Sequence, residues 1–204
     1  MNFQLIKNVQ RLLINDKVKE IHLLSNTKNR AVLKIITSQN NYILKYFRKS
    51  KLINPLRANP IELEKDNLLY LKKNKLNFFP EVINFDNNYL LLEYIKNDGI
   101  KPNEIKDDFI ENLTKLHSIK GESFGFSFNT QIGGLVLDNN FNSNWIDFFL
   151  NQKLLKVYEL VNSRDPMPSD INIQLEKIIN QLHNFIPNNT APSLIHGDLW
   201  SGNI

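Results

Sequence analysis

The 204-residue chain has no cysteine, which excludes disulfides, thiolate nucleophiles and cysteine-ligated zinc and suits a reducing compartment. No stretch is long and apolar enough to span a bilayer. Met1 to Arg11 alternates polar and apolar residues, where a signal peptide carries an uninterrupted apolar core. A soluble, cytoplasmic protein with no membrane partner is expected. There is no internal repeat and no linker rich in Gly and Ser. Nor is the charge one-sided: 25 Lys and Arg against 21 Asp and Glu leave +4, and the basic residues are scattered rather than gathered into an arginine-rich arm. The sequence pI of ≈ 9.1 would suit a phosphorylated ligand or nucleic acid. Lys-rich solvated faces account for it equally well, so no nucleic-acid partner is expected.

What is present is an ordered pattern. Hydrophobic residues make up 42% of the chain and recur periodically, and the length is enough to bury a core without staples. Two β-rich runs, Ala31 to Ile36 and Tyr42 to Phe47, flank the polar turn Ser38 to Asn41 and read as an antiparallel hairpin. A second hairpin is expected from Glu81 to Ile95, turning at Asp86 to Asn88. Between them, after Pro55 and Pro60, the spacing of Leu63, Asn67, Leu68 and Leu71 predicts a helix over Ile61 to Asn74.

Beyond Ile95 the period becomes helical, which sets a lobe boundary in Lys96 to Pro102 and two regions, 1–95 and 96–204. Asp107 is expected to cap a helix whose Phe109, Leu113 and Leu116 form one face. Ser143 is expected to cap a second, through Trp145, Phe148, Phe149 and Leu150. Ser169 or Asp170 is expected to cap a third, carrying Ile171, Leu175, Ile178, Leu182 and Phe185 as an apolar stripe.

The last eleven residues, Leu194-Ile-His-Gly-Asp-Leu-Trp-Ser-Gly-Asn-Ile204, start as a short apolar strand and become a tight loop in which Asp198 and Asn203 are five apart. Asp and Asn are ordinary turn residues, because their side chains bond to nearby backbone. The complete string is far rarer, and it has the spacing of a kinase catalytic loop. Phosphoryl transfer to an alcohol needs an acceptor for the hydroxyl proton and oxygen ligands for Mg²⁺. Asp198 suits the first task and the Asn203 amide oxygen the second.

With its run His196-Gly-Asp-Leu-Trp-Ser-Gly-Asn203, the chain resembles the fructosamine (ketosamine) kinase family, relatives of the aminoglycoside phosphotransferases and choline kinases. Phe124-Gly-Phe126, Ile132-Gly133, Asn139, Trp145, Phe148-Phe149 and Leu154 are similar to that family's substrate-side insertion. The resemblance implies an α+β, protein-kinase-like fold of two lobes: an antiparallel sheet with a helix, then a mostly helical C-lobe left incomplete at Ile204. It implies ATP and Mg²⁺ as cofactors and a small-molecule or glycated-protein substrate bearing a sugar adduct. Lys45 matches the lysine that holds nucleotide phosphates and Glu64 its ion-pair partner, with Glu62 the alternative. Glu93, Tyr94 and Ile95 match the hinge that binds adenine, and Asp198 and Asn203 the catalytic and metal residues. Trp145 and Trp200 are candidates to position a sugar, although a packing role fits both. Without that context, a mid-strand Lys45 would simply face solvent.

The chain departs from the family pattern in several places. Leu23 to Arg30, expected to cover the phosphates, contains no glycine, leaving Ser25, Asn26 and Thr27 to supply the turn. Leu137, Phe141 and Lys153 replace an amide, a Trp and an Arg. The family's second metal-binding Asp is missing, so the chain is expected to lack its C-terminal end and to be weakly active. The other readings are an aminoglycoside or choline kinase and a catalytically silent nucleotide-binding remnant.

Overall fold

Apolar residues in the first half of the chain make strands, alternating in β2 and consecutive in β5, and five strands pair into a single antiparallel sheet. The computed structural model describes residues 9–13, 16–47, 59–96, 107–132 and 135–200. The strands are β1 (Val18–Asn26), β2 (Arg30–Thr37), β3 (Asn41–Phe47), β4 (Val82–Asp86) and β5 (Tyr89–Glu93), in the spatial order β1-β2-β3-β5-β4. The two expected hairpins are β2–β3 and β4–β5. Strand β1 is not anticipated by the pattern. Its pairing with β2 slips between Val18 and Glu20 and again between Leu23 and Ser25, and each slip breaks the period-two signal by which a strand is read. Most of the stretch expected to be a phosphate-covering loop is therefore strand, and only Thr27 to Asn29 form the turn.

Both faces of the sheet are covered. On one, Leu33, Ile35, Leu44 and Leu91 pack with Val9 of a helical segment at residues 9–12 and with Leu13 just after it. On the other, Leu90 and Leu92 pack with Ile61 of α1 (Pro60–Lys73), and Ile43, Phe47, Leu68 and Val82 close around them. Helix α1 starts where Asn59 accepts a hydrogen bond from the Ile61 amide (3.1 Å), with Pro60 in its first turn. Asp16 is buried and ties the β2–β3 turn down. It accepts hydrogen bonds from the Thr37 hydroxyl, from Ser38 Oγ at 2.7 Å and from the Gln39 and Asn40 amides at 3.0 and 3.2 Å.

The chain divides into two compact units, Met1–Lys101 and Pro102–Ile204. The second contains α2 (Asp107–Ser118), the short hairpin β6 (Thr130–Ile132) and β7 (Leu135–Leu137), and α3 (Trp145–Phe149). A π-helical turn (Leu150–Leu154), α4 (Leu155–Arg164), α5 (Ser169–Asn180) and a 3₁₀ turn (Leu182–Asn184) follow. Leu116 of α2 is buried as its periodicity predicts, and Asp107 lies in the helix's first turn. The expected caps move by one position. Asn144, not Ser143, caps α3 by accepting from the Asp147 amide (3.1 Å). Pro168, not Ser169 or Asp170, precedes α5 and makes no side-chain cap. The third helix also ends before Leu182, so its apolar stripe is broken: Leu182 is buried, while Ile171, Ile178 and Phe185 are exposed. Among the described residues no helix is long and apolar enough to cross a membrane.

Candidate active site

Register places the polar side chains of the first unit. Directly opposed residues of antiparallel strands share a face, and Ser25 pairs with Val32, Val32 with Lys45 and Lys45 with Leu90. Ser25, Val32 and Lys45 therefore form a row on the face that α1 covers. Ile21, four residues before Ser25, would share its face in a regular strand, yet it pairs with Ile35 in the opposite core. The extra residue, Leu24, separates the two faces.

Within this face lies a cavity of ≈ 250 Å³ lined by Ser25, Thr27, Arg30, Lys45 and, from α1, Ile61 and Glu64. The Lys45 Nζ lies 2.5 Å from Glu64 Oε1, and each side chain is 35% exposed. Glu64 is the acidic residue that meets Lys45, while Glu62, two residues earlier, is exposed. The cavity rim is the turn from Thr27 to Arg30, closed by the Thr27 amide donating to the Arg30 carbonyl (2.8 Å). The Thr27 hydroxyl also accepts from the Arg30 amide (3.1 Å). The turn needs no glycine because it needs no positive φ. Among the described residues Lys75 is the one non-glycine with φ above zero.

At the far end of β5 the Glu93 amide donates to the Glu81 carbonyl (2.9 Å) and the Tyr94 amide to the Asn41 carbonyl (3.3 Å), while Ile95 is exposed. The Lys34 ammonium sits 3.9 Å from the centre of the Tyr94 ring.

In the second unit the expected catalytic loop leaves a short pairing with the end of α2. Lys120 bridges Ser193, and the Leu194 amide donates to the Ile119 carbonyl (2.9 Å). Gly197 follows with φ +81 and open space where a Cβ would stand, so glycine is there for its conformation and not for room. The turn presents Asp198 at the surface, its amide donating to His196 Nδ1 (3.4 Å). Trp200 is exposed. Asn203 lies outside the described residues. Trp145 packs against Phe124, Phe149 and Phe148, with ring centres at 5.3, 5.5 and 6.0 Å.

The region between α2 and α4 is held by a polar hub that periodicity does not reveal. Asn139 is buried and donates to the Phe128 carbonyl (2.9 Å) and to Thr130 Oγ1 (3.1 Å). Lys153, on the π-helical turn, donates to the Asn139 side chain and to the Asp138 carbonyl (2.7 Å). Burial pushes the Lys153 ammonium down to about 8, with Lys156 adding to the effect and Asp138 opposing it. Gly125 (φ +139) is pressed against this hub, where a Cβ would stand 2.8 Å from the Asn139 carbonyl.

For a divalent cation, the donor chemistry of the Asp198 carboxylate fits as one oxygen ligand. Among the described residues no group of three His, Asp or Glu stands ready to hold a metal unaided.

Residues 5–204 match the profile of the fructosamine kinase family. A probable ketoamine kinase of Pasteurella multocida is 31% identical over 145 residues, 69% of this chain and 49% of that protein. The chloroplastic protein-ribulosamine 3-kinase of Arabidopsis thaliana is 31% identical over 120 residues, 57% of this chain and 36% of that one. The crystal structure of a candidate fructosamine-3-kinase from Thermobifida fusca superposes with a TM-score of 0.78 at 22% identity, covering 97% of this chain and 67% of that chain. The α+β fold is thus shared with the solved proteins of that description, and the chain spans about half the length of the first curated relatives it matches. With the profile running from residue 5 to residue 204, this chain belongs to the fructosamine kinase family.

Proposed function

We propose that the chain carries the phosphotransfer machinery of an ATP-dependent kinase that phosphorylates a sugar hydroxyl of a ketosamine, the step that marks a sugar adduct for removal. The Lys45–Glu64 pair carries this reading, because it is a fixed cation set in a cavity. A mid-strand lysine beside a glutamate on the next helix is the arrangement that holds the α- and β-phosphates of a nucleotide. Lys45 neutralises phosphate charge, and Glu64 holds the ammonium in place. Asp198 accepts the proton of the attacking hydroxyl as its oxygen bonds to the γ-phosphorus, while the bond from that phosphorus to the β–γ bridging oxygen breaks and ADP leaves.

Asn203 is assigned to Mg²⁺, which when bound offsets charge on the phosphates. Glu93, Tyr94 and Ile95 are assigned to adenine through main-chain groups. Trp200, exposed beside Asp198, is the better placed of the two tryptophans to meet a sugar, and Trp145 is assigned to packing. The matched relatives named as ketoamine and ribulosamine kinases support ketosamines as the substrate class.

The test is ATP consumption with Mg²⁺ on a fructose-lysine substrate, comparing the chain with Asp198→Ala. Turnover that the variant abolishes supports the kinase. ATP binding without transfer to ketosamines, aminoglycosides or choline leaves a silent nucleotide binder.

A further inference from the structure

Lys45 and Glu64 cancel each other's charge, so the cavity beside them would be neutral if they were its only ionic groups. They are not: Arg30, the first residue of β2, lines the same cavity. Its backbone closes the turn with Thr27, and among the described residues no ion pair engages its guanidinium. The alternation along β2 puts Arg30 on the face of Val32, whose cross-strand partner is Lys45. Among the described residues one cation is therefore left over at a cavity that Ser25 and Thr27 also line.

In a glycine-rich loop, backbone amides come close enough to bind phosphate directly. Here the turn has side chains throughout, and its Thr27 and Arg30 amides are spent on closing it. With those two amides spent, a side chain is the stronger source of positive charge at the cavity. A guanidinium supplies it with a planar fork matched to two phosphate oxygens.

We propose that Arg30 is a phosphate-binding residue of this chain, a second cation that grips the polyphosphate tail of the nucleotide in place of glycine amides. The inference rests on the nucleotide reading given above and adds to it a residue that the catalytic-loop and Lys45 patterns do not contain.

The experiment is calorimetric titration of the 204-residue chain with inorganic tripolyphosphate, ATP and adenosine, comparing wild type with Arg30→Ala, Arg30→Lys, Lys28→Ala and Lys45→Ala. Thermal melts establish that each variant is folded. Arg30→Ala is expected to weaken tripolyphosphate and ATP by about 10- to 100-fold, the range for one charge-assisted hydrogen-bonding group, and to leave adenosine unchanged. Arg30→Lys should recover part of the loss, since it keeps the charge without the fork. Lys28→Ala, whose side chain is exposed on the turn outside the cavity, should bind as wild type does.

If Arg30→Ala binds tripolyphosphate normally while Lys45→Ala does not, the role of Arg30 is overturned and the kinase reading stands. Equal losses in Lys28→Ala and Arg30→Ala would overturn it too, by showing a diffuse surface charge. If the wild type binds neither tripolyphosphate nor ATP, the kinase reading falls and the role of Arg30 falls with it.

Discussion

Glu64 meets Lys45 across the gap between a helix and a strand, at 2.5 Å, and both remain about a third exposed. A pair this open to water adds little to stability, under about 1 kcal/mol, so its value lies in where it holds the ammonium. Glu64→Ala should leave the melting temperature within about 2 °C of wild type and weaken ATP binding by about 10-fold or more. Glu62→Ala should leave both the melting temperature and ATP binding unchanged. Calorimetry and a thermal melt on the two variants check this.

Asp16 makes the first unit sensitive to acid. Burial raises its carboxyl, but the hydrogen bonds from Thr37, Ser38 and the Gln39 and Asn40 amides outweigh that and hold it at about 2, below the ordinary 3.8. Its contribution is therefore complete above about pH 4 and lost as pH falls from there through 2. Urea midpoints measured across that window should fall more steeply for wild type than for Asp16→Asn. The variant should already be the less stable of the two at pH 7, where it has lost an acceptor for the turn.

Lys153 has the opposite sign. Its ammonium is held at about 8, below the ordinary 10.5, so burial of the charge weighs against folding in full below pH 8. That weight is lifted as pH rises from 8 toward 10.5. An NMR titration of methylated lysines should show one resonance with a midpoint near 8 that disappears in Lys153→Met. Lys156→Met should move that midpoint upward, because it removes a like charge and frees Asp138.

Two glycines with positive φ should respond differently to alanine. Gly197→Ala meets nothing within 4 Å and suffers only the backbone preference, about 1–2 kcal/mol. Gly125→Ala adds a Cβ within 3 Å of the Asn139 carbonyl and the Phe141 Cα, and should cost about 3 kcal/mol or more. Chemical denaturation of both variants tests the order, and Gly197→Ala should also lower turnover by shifting Asp198.

The β2–β3 hairpin and α1 are legible in the sequence because each keeps its period, and the β4–β5 hairpin is legible from its turn and its apolar run although its register slips between Val82 and Asn84. Strand β1 is not, since Lys19 and Leu24 are extra residues that reverse the alternation twice. The helix starts are legible only to within a residue. At α3, three neighbouring side chains are all able to cap, and local geometry selects Asn144 over Ser143. Asp198 stands out in the sequence because its neighbours form a rare string. Asp16 does not, because its partners lie 21 to 26 residues away and only the folded sheet brings them together. Arg30 falls between these cases. Its place two residues before Val32 gives its face, but its meaning depends on the pairing of Val32 with Lys45.

Leu24 divides β1 into two stretches that answer to different neighbours. If it were lost, Leu23 would still face Leu33, Ser25 would still face Val32, and no other pairing along the strand would change. The strand thus has a slip joint, a point where length can drift during divergence without disturbing the core side or the turn side. Changes in Val18 to Leu23 and changes in Ser25 to Arg30 are free to accumulate independently, so the turn can lose its glycines while the sheet beneath it keeps its form.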